Sequence, residues 1–392
     1  MTKDQDAKEY DVIVVGLGPA GSNAAYHLGR AGLKVLAIER KKMPRQKLCA
    51  GGIPSKVFPL LDFDFSATIQ QEIEWAAVCF RQEYAVETPR EEKIGYVVDR
   101  AHFDHLLALR AATAGVQILE DETVRGISEE GLTIEVRTDH SVYRSRALVG
   151  AEGAQGVVGR YLGRSPKSVV IGLELLVSDD YELIRNHIQS RKLAFYFGYL
   201  PDGYGWIFPR QEDASVGIGV TMKYAQRARA LFSDFVNSIG LPRELAAKAK
   251  GHPIPLFSPF DRGPICRKNI LLTGDAASFV DPITGEGIYY ALKSGELAAR
   301  ALIESMPEGR KAAPGYKAAV ERAFLGELRA AWKISLPLYA FPGAGFDLFR
   351  TSERIRKLHF DVIAGRASYT DLVKEVPRAG LLLVKSFFSR KS

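Results

Sequence analysis

The sequence predicts an α/β protein in three parts. They are a parallel-sheet domain that is discontinuous in the chain, a second domain built on an antiparallel sheet, and a helical C-terminal region. Three observations predict this. A strand–helix–strand pattern lies near the N-terminus, and a strand–loop–helix pattern returns near Ile270. Aromatic-rich strands separate the two patterns, and helical spacing follows Pro307. A chain of 392 residues is long enough for more than one core.

The N-terminal pattern occupies "DVIVVGLGPAGSNAAYHLGRAGLKVLAIER", residues 11–40. An apolar run at Val12–Val15 precedes a glycine turn, alanine-rich helical spacing and a second apolar run that ends at Glu39. This order predicts a strand, a helix and a second strand.

The glycines of this turn form a GxGxxG motif, which is typical of Rossmann-type dinucleotide binding. They permit a tight turn, close approach of a pyrophosphate and close packing of the helix. Glu39 follows the next strand, where a carboxylate can accept hydrogen bonds from ribose hydroxyls. The motif does not by itself separate FAD from NAD. The residues expected to contact the dinucleotide are Gly16, Gly18, Pro19, Ala20, Gly21, Glu39 and Arg40.

The middle of the chain changes pattern twice. "DRAHFDHLLALRAATAG", residues 99–115, predicts a helix, and short strands follow it. Longer strands then predict the antiparallel domain, whose buried face can line a ligand cavity. The helical C-terminal region has an aromatic, Gly/Pro-bearing interruption at Tyr339–Phe346. The predicted boundaries are 1–80, 99–164 and 265–306 for the parallel-sheet domain, 81–98 and 165–264 for the antiparallel-sheet domain, and 307–392 for the helical region.

A second glycine-containing loop, "LLTGDAASFVDPITGEGI", favours FAD as the dinucleotide. Gly274 and Asp275 follow a predicted strand, and an acid there can hold the ribityl hydroxyls of a flavin. The later glycines let backbone amides and a helix N-terminus approach the flavin ring and the pyrophosphate. The residues expected to bind the cofactor here are Gly274, Asp275, Pro282, Gly285, Gly287 and Ile288.

Together with "KLCAGGI", "VVDRAHFD" and "YGWIFP", these motifs resemble the FAD family related to para-hydroxybenzoate hydroxylase, and within it the geranylgeranyl reductases, over about residues 10–305. Both flavin loops are intact and no His or Cys lies in an obvious flavinylation motif, so the sequence predicts noncovalently bound FAD. By the resemblance, Arg100 would contact the phosphate side of the flavin, and Val124 would meet the adenine through its backbone. "KLCAGGI" is similar to the family's Lys-x-Cys-Gly-Gly segment, which would place Cys49 and Ala50 near the isoalloxazine ring.

The resemblance implies an FAD-dependent reductase that saturates carbon–carbon double bonds of a geranylgeranyl or other polyprenyl chain. "YGWIFP" is similar to the Trp-x-Phe-Pro signature of prenyl reductases, so Tyr204, Trp206, Phe208 and Pro209 would line the isoprenoid cavity. Reduced flavin would deliver hydride to one alkene carbon while a proton reaches the other. Tyr204 and Trp206 would then act in catalysis, since their aromatic faces can surround the developing positive charge.

Two interpretations of Cys49 stay open at the level of sequence. It is either a small residue packed beside the cofactor or a catalytic thiol that contacts the reacting carbon. A neutral thiol, with a reference pKa of about 8.5, is a poor acid for an unactivated alkene, so direct protonation by Cys49 alone is chemically unfavourable.

Two other functions are consistent with the motifs. A flavin monooxygenase or halogenase is the first, since the halogenase signature Trp-x-Trp-x-Ile-Pro partly matches "YGWIFP". Against it, the hydroxylases of this superfamily have Asp-Gly where this chain has Glu152-Gly153. A non-catalytic prenyl-binding escort protein is the second, and the intact Gly274-Asp275 loop argues against it.

The sequence leaves the electron donor open, because no second GxGxxG and no iron–sulfur cysteine set is visible. NAD(P)H, reduced ferredoxin, which would make an electron-donor protein a partner, and a quinol pool are the candidates. The three cysteines lie far apart and suggest neither a disulfide framework nor a metal site.

Charge and hydropathy predict a cytoplasmic protein that contacts a membrane only peripherally, if at all. No apolar run reaches the length of a membrane span, and the N-terminus "MTKDQDAKEY" is charged. The net charge of +7 includes basic clusters at residues 40–47 and in the tail Leu381–Ser392. Each cluster is either solvated or in contact with an anionic membrane surface, and nucleic acid is not an expected partner.

Overall fold

The computed structural model describes residues 8–81, 84–89 and 93–376. The strands, in chain order, are β1 Lys8–Val15, β2 Val35–Ile38, β3 Gly52–Pro54, β4 Ile69–Ile73, β5 Trp75–Phe80, β6 Tyr84–Pro89, β7 Gly95–Val98, β8 Gln117–Leu119, β9 Val124–Glu130, β10 Thr133–Thr138, β11 Val142–Gly150, β12 Ser168–Ser178, β13 Lys192–Phe197, β14 Gly203–Pro209, β15 Asp213–Thr221, β16 Lys250–Leu256, β17 Cys266–Arg267 and β18 Ile270–Leu272.

The α-helices are α1 Pro19–Arg30, α2 Arg100–Thr113, α3 Val157–Tyr161, α4 Glu182–Gln189, α5 Ala228–Ser238, α6 Ile288–Ser305, α7 Ala313–Val320, α8 Gly326–Ala340, α9 Pro342–Thr351 and α10 Glu353–Ile363. Residues 369–376 are also helical. Short 3₁₀ segments include Met222–Arg227, which precedes α5, and Gly274–Ala277.

The first sheet has the strand order β17-β18-β11-β1-β2-β8, and the β9–β10 hairpin extends it from β11. β1 runs parallel to both β2 and β11, and β11 runs parallel to β18. Val12, Ile13 and Val14 are fully buried, as expected of a central parallel strand that is covered on both faces. The predicted strand–helix–strand unit and the return of the chain near Ile270 are therefore present in one sheet.

The second sheet has the order β16-β12-β15-β14-β13-β5-β6 and is antiparallel except where β13 and β5 run parallel. β5 precedes residue 81, at which the sequence analysis placed the start of the antiparallel-domain segment, so that boundary is too late. The cause is nonlocal: the apolar run of β5 pairs with β13, with Ala77 opposite Ala194. A small sheet, β3-β7-β4, lies in the same region of the chain.

The C-terminal region is helical, which agrees with the predicted fold class. The expected interruption at Tyr339–Phe346 is reduced to one non-helical residue, Phe341, between α8 and α9. Pro342 occupies the first position of α9, where its fixed φ angle and missing amide hydrogen favour a helix start. Phe346 of α9 stacks on Phe80 of β5 with ring centroids 5.5 Å apart, so these helices pack against the second sheet. Among the described residues no helix combines the length and apolarity needed to span a membrane.

Candidate active site

A cavity of about 550 Å³ lies where the parallel sheet meets one face of the antiparallel sheet. Its walls come from the glycine turn after β1, from residues 47–53 (the cysteine loop), from residues 273–287 (the α6 loop) and from side chains of β12–β14 and β16. A crevice beyond the carboxyl ends of parallel strands is the usual ligand site of such sheets.

The glycine turn after β1 has no room for a side chain at Gly16 or Gly21. Gly16 has φ +94°, and a Cβ there would lie 2.5 Å from the Ala151 carbonyl oxygen. A Cβ on Gly21 would lie 1.8 Å from the Gly16 carbonyl oxygen, so this glycine lets α1 pack against the turn and does not line the cavity. Gly18, Pro19 and Ala20, at the N-terminus of α1, do line it. A helix N-terminus in this position suits a pyrophosphate.

Glu39 lies at the end of β2, as expected, and its carboxylate organises the surrounding loop. It accepts hydrogen bonds from the amides of Leu17 (3.0 Å) and Lys41 (3.2 Å), and Arg45 Nε lies 3.3 Å from its Oε1. Arg45 also contacts the buried Asp104 carboxylate at 3.2 Å. Arg45, which the sequence analysis left in a basic cluster of solvated or membrane-contacting residues, therefore points into the site instead. Arg40 lines the cavity at an exposed position.

Arg100, at the start of α2, is buried and paired with Asp104 one turn later. Its Nε and Nη2 donate to the two carboxylate oxygens at 2.9 and 3.0 Å. Burial by itself would lower the pKa of Arg100, but the Asp104 carboxylate more than offsets it and raises that pKa. Both Arg100 and Val124, the first residue of β9, line the cavity.

The α6 loop supplies the second set of predicted cofactor residues. Asp275, Gly285, Gly287 and Ile288 line the cavity, whereas Gly274 packs against Ala20 and Ala291, and Pro282 is buried behind the wall. Gly285 has φ +69°, and a Cβ on Gly287 would lie 3.4 Å from Asp275 Oδ1. These features fit FAD. They are the hydrogen-bond donors at the N-terminus of α1, the two glycine-containing loops, and the acids Glu39 and Asp275 that follow two strands.

The cysteine loop lies between these elements and the antiparallel sheet. Cys49 is partly buried, and its sulfur accepts a hydrogen bond from the Gly51 amide at 3.4 Å. Gly51 has φ +81°, and a Cβ on Gly52 would lie 2.8 Å from the ring of Phe208. Cys49 and Ala50 both line the cavity.

An aromatic wall, formed by Tyr204, Trp206 and Phe208 of β14 and by Phe195 of β13, closes the sheet side. The three β14 residues alternate along the strand and share one face. Phe195 makes edge contacts with Tyr204 and Phe208 at centroid distances of 5.7 and 5.6 Å. Pro209 ends β14, is buried and does not line the cavity, so its predicted substrate contact has no geometric support.

The antiparallel sheet also brings a polar group that sequence reasoning missed. Glu174 of β12 and His252 of β16 line the cavity beside the aromatic wall. Burial raises the pKa of Glu174. Burial, helped by the charges of Lys47 and Arg100, lowers the pKa of His252 to about 4. The signal was present in "SVVIGLELLVS", where Glu174 is the one charged residue of an apolar strand.

Glu152, which replaces the aspartate of the hydroxylase motif, has a structural role. Its two carboxylate oxygens accept hydrogen bonds from the amides of Val157 and Val158, at 2.8 and 2.9 Å, and so cap the start of α3. A Cβ on Gly156 would lie 2.6 Å from the carboxylate, so the local sequence leaves room for it.

Comparison with known proteins shows the family to which this chain belongs. The FAD binding domain family matches residues 9–314. Geranylgeranyl diphosphate reductase of Rhodobacter capsulatus is 33% identical over 78% of this chain and 78% of its own length. Digeranylgeranylglycerophospholipid reductase of Methanocaldococcus jannaschii is 31% identical over 75% of this chain and 78% of its own. The crystal structure of a geranylgeranyl bacteriochlorophyll reductase-like protein from Thermoplasma acidophilum shares the fold, with a TM-score of 0.77 and 23% identity over 94% of this chain and 96% of that one.

Proposed function

This chain belongs to the geranylgeranyl reductase family of FAD-dependent oxidoreductases, and from that premise we propose that it saturates carbon–carbon double bonds in the polyprenyl chain of an isoprenoid lipid. The observation that carries the proposal is one continuous cavity. The glycine turn, the cysteine loop, the α6 loop and the aromatic wall all face the same space.

The residues for holding FAD come from the parallel-sheet domain. We propose that the N-terminus of α1 and Arg45 face the pyrophosphate, that Glu39 binds a ribose, and that Asp275 binds the ribityl chain. When bound and reduced, FAD supplies a hydride equivalent.

The chain itself would orient the alkene and exclude water. The aromatic wall offers apolar contact to an isoprenoid chain, and the faces of Tyr204 and Trp206 stabilise positive charge that develops on the alkene. Exclusion of water by the bound lipid chain would also strengthen the electrostatic contacts in the cavity. Cys49 would contact the reacting part of the chain from the opposite side of the cavity.

The substrate class follows from the relatives' names. One relative is named for a free diphosphate and another for a glycerophospholipid, and both names specify geranylgeranyl chains. We therefore propose geranylgeranyl chains as the reacting group, with either headgroup. NAD(P)H or reduced ferredoxin is the proposed electron source.

The test is a single turnover without oxygen. Protein with bound FAD is reduced chemically and mixed with geranylgeranyl diphosphate or with digeranylgeranyl phospholipid, and the lipid is weighed by mass spectrometry. We expect a gain of two hydrogens for each double bond reduced, with reduced free FAD as the inactive control. Failure to saturate either lipid would contradict the proposal. Oxygen-dependent NAD(P)H consumption with a hydroxylated or halogenated product would favour the monooxygenase or halogenase alternative, and purification without a flavin spectrum would favour the escort alternative.

A further inference from the structure

A carboxylic side chain, that of Glu174, lines the cavity beside the aromatic wall. Glu174 points from β12 into the cavity with only 9% of its surface exposed. Carboxylates are rarely buried to this degree without a strong cationic partner. None of the ion pairs among the described residues includes Glu174, so a structural salt bridge does not account for its burial.

The carboxyl group is held by a directed chain of hydrogen bonds. Trp206 Nε1 donates to Ser215 Oγ at 3.1 Å, and Ser215 Oγ donates to Glu174 Oε2 at 3.2 Å. Ser215 has a single hydroxyl hydrogen and uses it on Glu174. The backbone amide of Cys49 also faces this carboxyl group. Glu174 is thereby fixed between the aromatic wall and the cysteine loop, the two surfaces between which the alkene would lie.

The charged surroundings of Glu174 come from four elements. Burial raises its pKa, while Ser215, the Cys49 amide and the positive charges of Lys47 and Arg100 oppose that rise only in part. The neighbouring strand β16 places His252 on the same cavity, where its lowered pKa keeps it neutral, and puts the exposed Lys250 directly opposite Glu174. A carboxyl group with a raised pKa retains its proton closer to neutral pH than an exposed glutamate does.

We propose that Glu174 is the catalytic acid that delivers the proton to the alkene, an inference that rests on the proposed reductase function. In the step, the π bond of the alkene is consumed and two C–H bonds form. One alkene carbon takes the proton as the O–H bond of Glu174 breaks, and the other takes the hydride equivalent that reduced FAD supplies. The carboxylate left on Glu174 regains a proton from water before the next turnover.

Acid strength favours Glu174 over Cys49 for this role. The reference pKa values are about 4.3 for a glutamic acid and about 8.5 for a thiol, so a carboxylic acid releases its proton far more readily. Burial raises the pKa of the Glu174 carboxyl group, which keeps the proton in place until the alkene arrives. Matching a buried carboxylic acid to a proton-transfer step is a recurrent device of enzyme sites.

The experiment compares Glu174→Gln with Glu212→Gln, a change at an exposed glutamate just before β15. Both variants are purified with FAD, reduced without oxygen and mixed with geranylgeranyl diphosphate in single turnovers over a range of pH. We expect E174Q to bind FAD normally and its FAD to accept electrons normally. The variant should reduce the lipid at least about a hundredfold more slowly than the parent, and its rate should lack the parental pH dependence. E212Q should match the parent.

A second measurement does not require activity. The infrared difference spectrum between the parent and E174Q should contain the C=O stretch of a buried, protonated carboxyl group, which the parent has and E174Q lacks. Ser215→Ala, which removes the hydroxyl that donates to Oε2, should shift the frequency of that band. These spectra report the protonation of Glu174 whether or not the lipid assay succeeds.

The outcomes separate the two proposals. A parent that reduces no geranylgeranyl lipid overturns the reductase function, and with it the catalytic role of Glu174. An active parent whose E174Q variant retains its rate and pH profile overturns the acid alone, as does an infrared spectrum in which Glu174 is ionised at the working pH. Should E174Q fail to retain FAD, Glu174→Asp decides, because a carboxylic acid at this position must preserve the parental form of the pH profile.

Discussion

The hydroxyl group of Tyr204 donates a hydrogen bond to the backbone carbonyl of Thr284. Tyr204 belongs to the aromatic wall and Thr284 to the α6 loop, so this contact joins the antiparallel sheet to the loop that we assign to the cofactor. A Cβ on the adjacent Gly285 would lie 3.1 Å from the same hydroxyl oxygen. The side chain that would face the substrate is thus positioned by the backbone that would face the flavin.

Replacing Tyr204 by Phe should destabilise the protein measurably. The substitution leaves the partly buried Thr284 carbonyl without its donor, and an unpaired buried acceptor costs roughly 1 to 3 kcal/mol. We expect a lower thermal unfolding midpoint for Tyr204→Phe. The control, Tyr199→Phe, removes a half-buried hydroxyl elsewhere on the same domain and should have a smaller effect. Equal midpoints for parent and Tyr204→Phe would show that the contact contributes nothing to stability.

Glu39→Ala should weaken FAD retention by about 1 to 3 kcal/mol, because a charge-assisted contact to a ribose is lost. Titration of the apoprotein with FAD, followed by flavin fluorescence, measures this change. Glu39 also accepts the amide of Leu17, so Glu39→Gln serves as the variant that keeps an acceptor there. The control is Glu120→Ala, an exposed acid after the adjacent strand β8. Unchanged FAD affinity in Glu39→Ala would refute the assignment.

His252 should make the folded state sensitive to acid. Its folded pKa of about 4 lies below the unfolded value of about 6.5, so the unfolded chain binds more protons in this interval. Stability is therefore lost as pH falls from about 6.5 to about 4, by at most about 3 kcal/mol. The positive charges of Lys47 and Arg100 lower the pKa of His252 further, and so increase this loss of stability.

Denaturant unfolding of His252→Asn at several pH values measures that contribution. The variant should lose less stability than the parent between about pH 6.5 and about pH 4. His140→Asn, at an exposed position, should follow the parental curve. The raised pKa of Glu174 acts in the opposite sense and is present in all three proteins, so it cancels in the comparison. Parallel curves for parent and His252→Asn would rule out a buried neutral histidine.

Local sequence signals predicted the parts of the site that single segments build. The turn at Gly16–Gly21, the acid Glu39 and the loop at Gly274–Gly287 each lie within one short segment of the chain, so their spacing identifies them. The alternation in "YGWIFP" likewise placed the β14 side chains on one face. In each case the spacing of residues in the sequence follows directly from the backbone geometry of a single turn or strand.

Contacts between distant segments determine the features that the sequence did not predict. β5 joins the second sheet only through β13, which lies far along the chain, so no local pattern marked its domain. Arg45 is directed inward by Glu39 and by Asp104 of α2. Glu174 is held at the cavity by hydrogen bonds through Ser215 to Trp206, and these two residues lie on two further strands. The isolated charge in the apolar strand β12 is the sequence signal of this cavity residue.

The C-terminal tail provides a test of membrane contact. Residues 381–392, "LLLVKSFFSRKS", lie outside the described part of the structure, and the prediction rests on their mixture of apolar and cationic residues. Deleting Leu381–Ser392 should reduce cosedimentation with anionic vesicles and leave the FAD spectrum intact. Vesicles without anionic lipid are the control, since they lack the electrostatic attraction. If full-length and truncated proteins sediment equally with anionic vesicles, the tail has no such role.

Cys49 separates packing from chemistry. Its sulfur accepts a hydrogen bond from the Gly51 amide at 3.4 Å and also interacts with Arg100, which is itself held by Asp104, so Cys49→Ala and Cys49→Ser should both fold and hold FAD. If the thiol contacts the reacting carbon, anaerobic reduction of a geranylgeranyl lipid should fall at least about tenfold in both variants, or roughly 1.4 kcal/mol of barrier. The pH profile should stay parental, because Glu174 still supplies the proton. Parental rates in both variants would make Cys49 a packing residue, whereas a pH profile altered like that of Glu174→Gln would instead return the proton donor to the thiol.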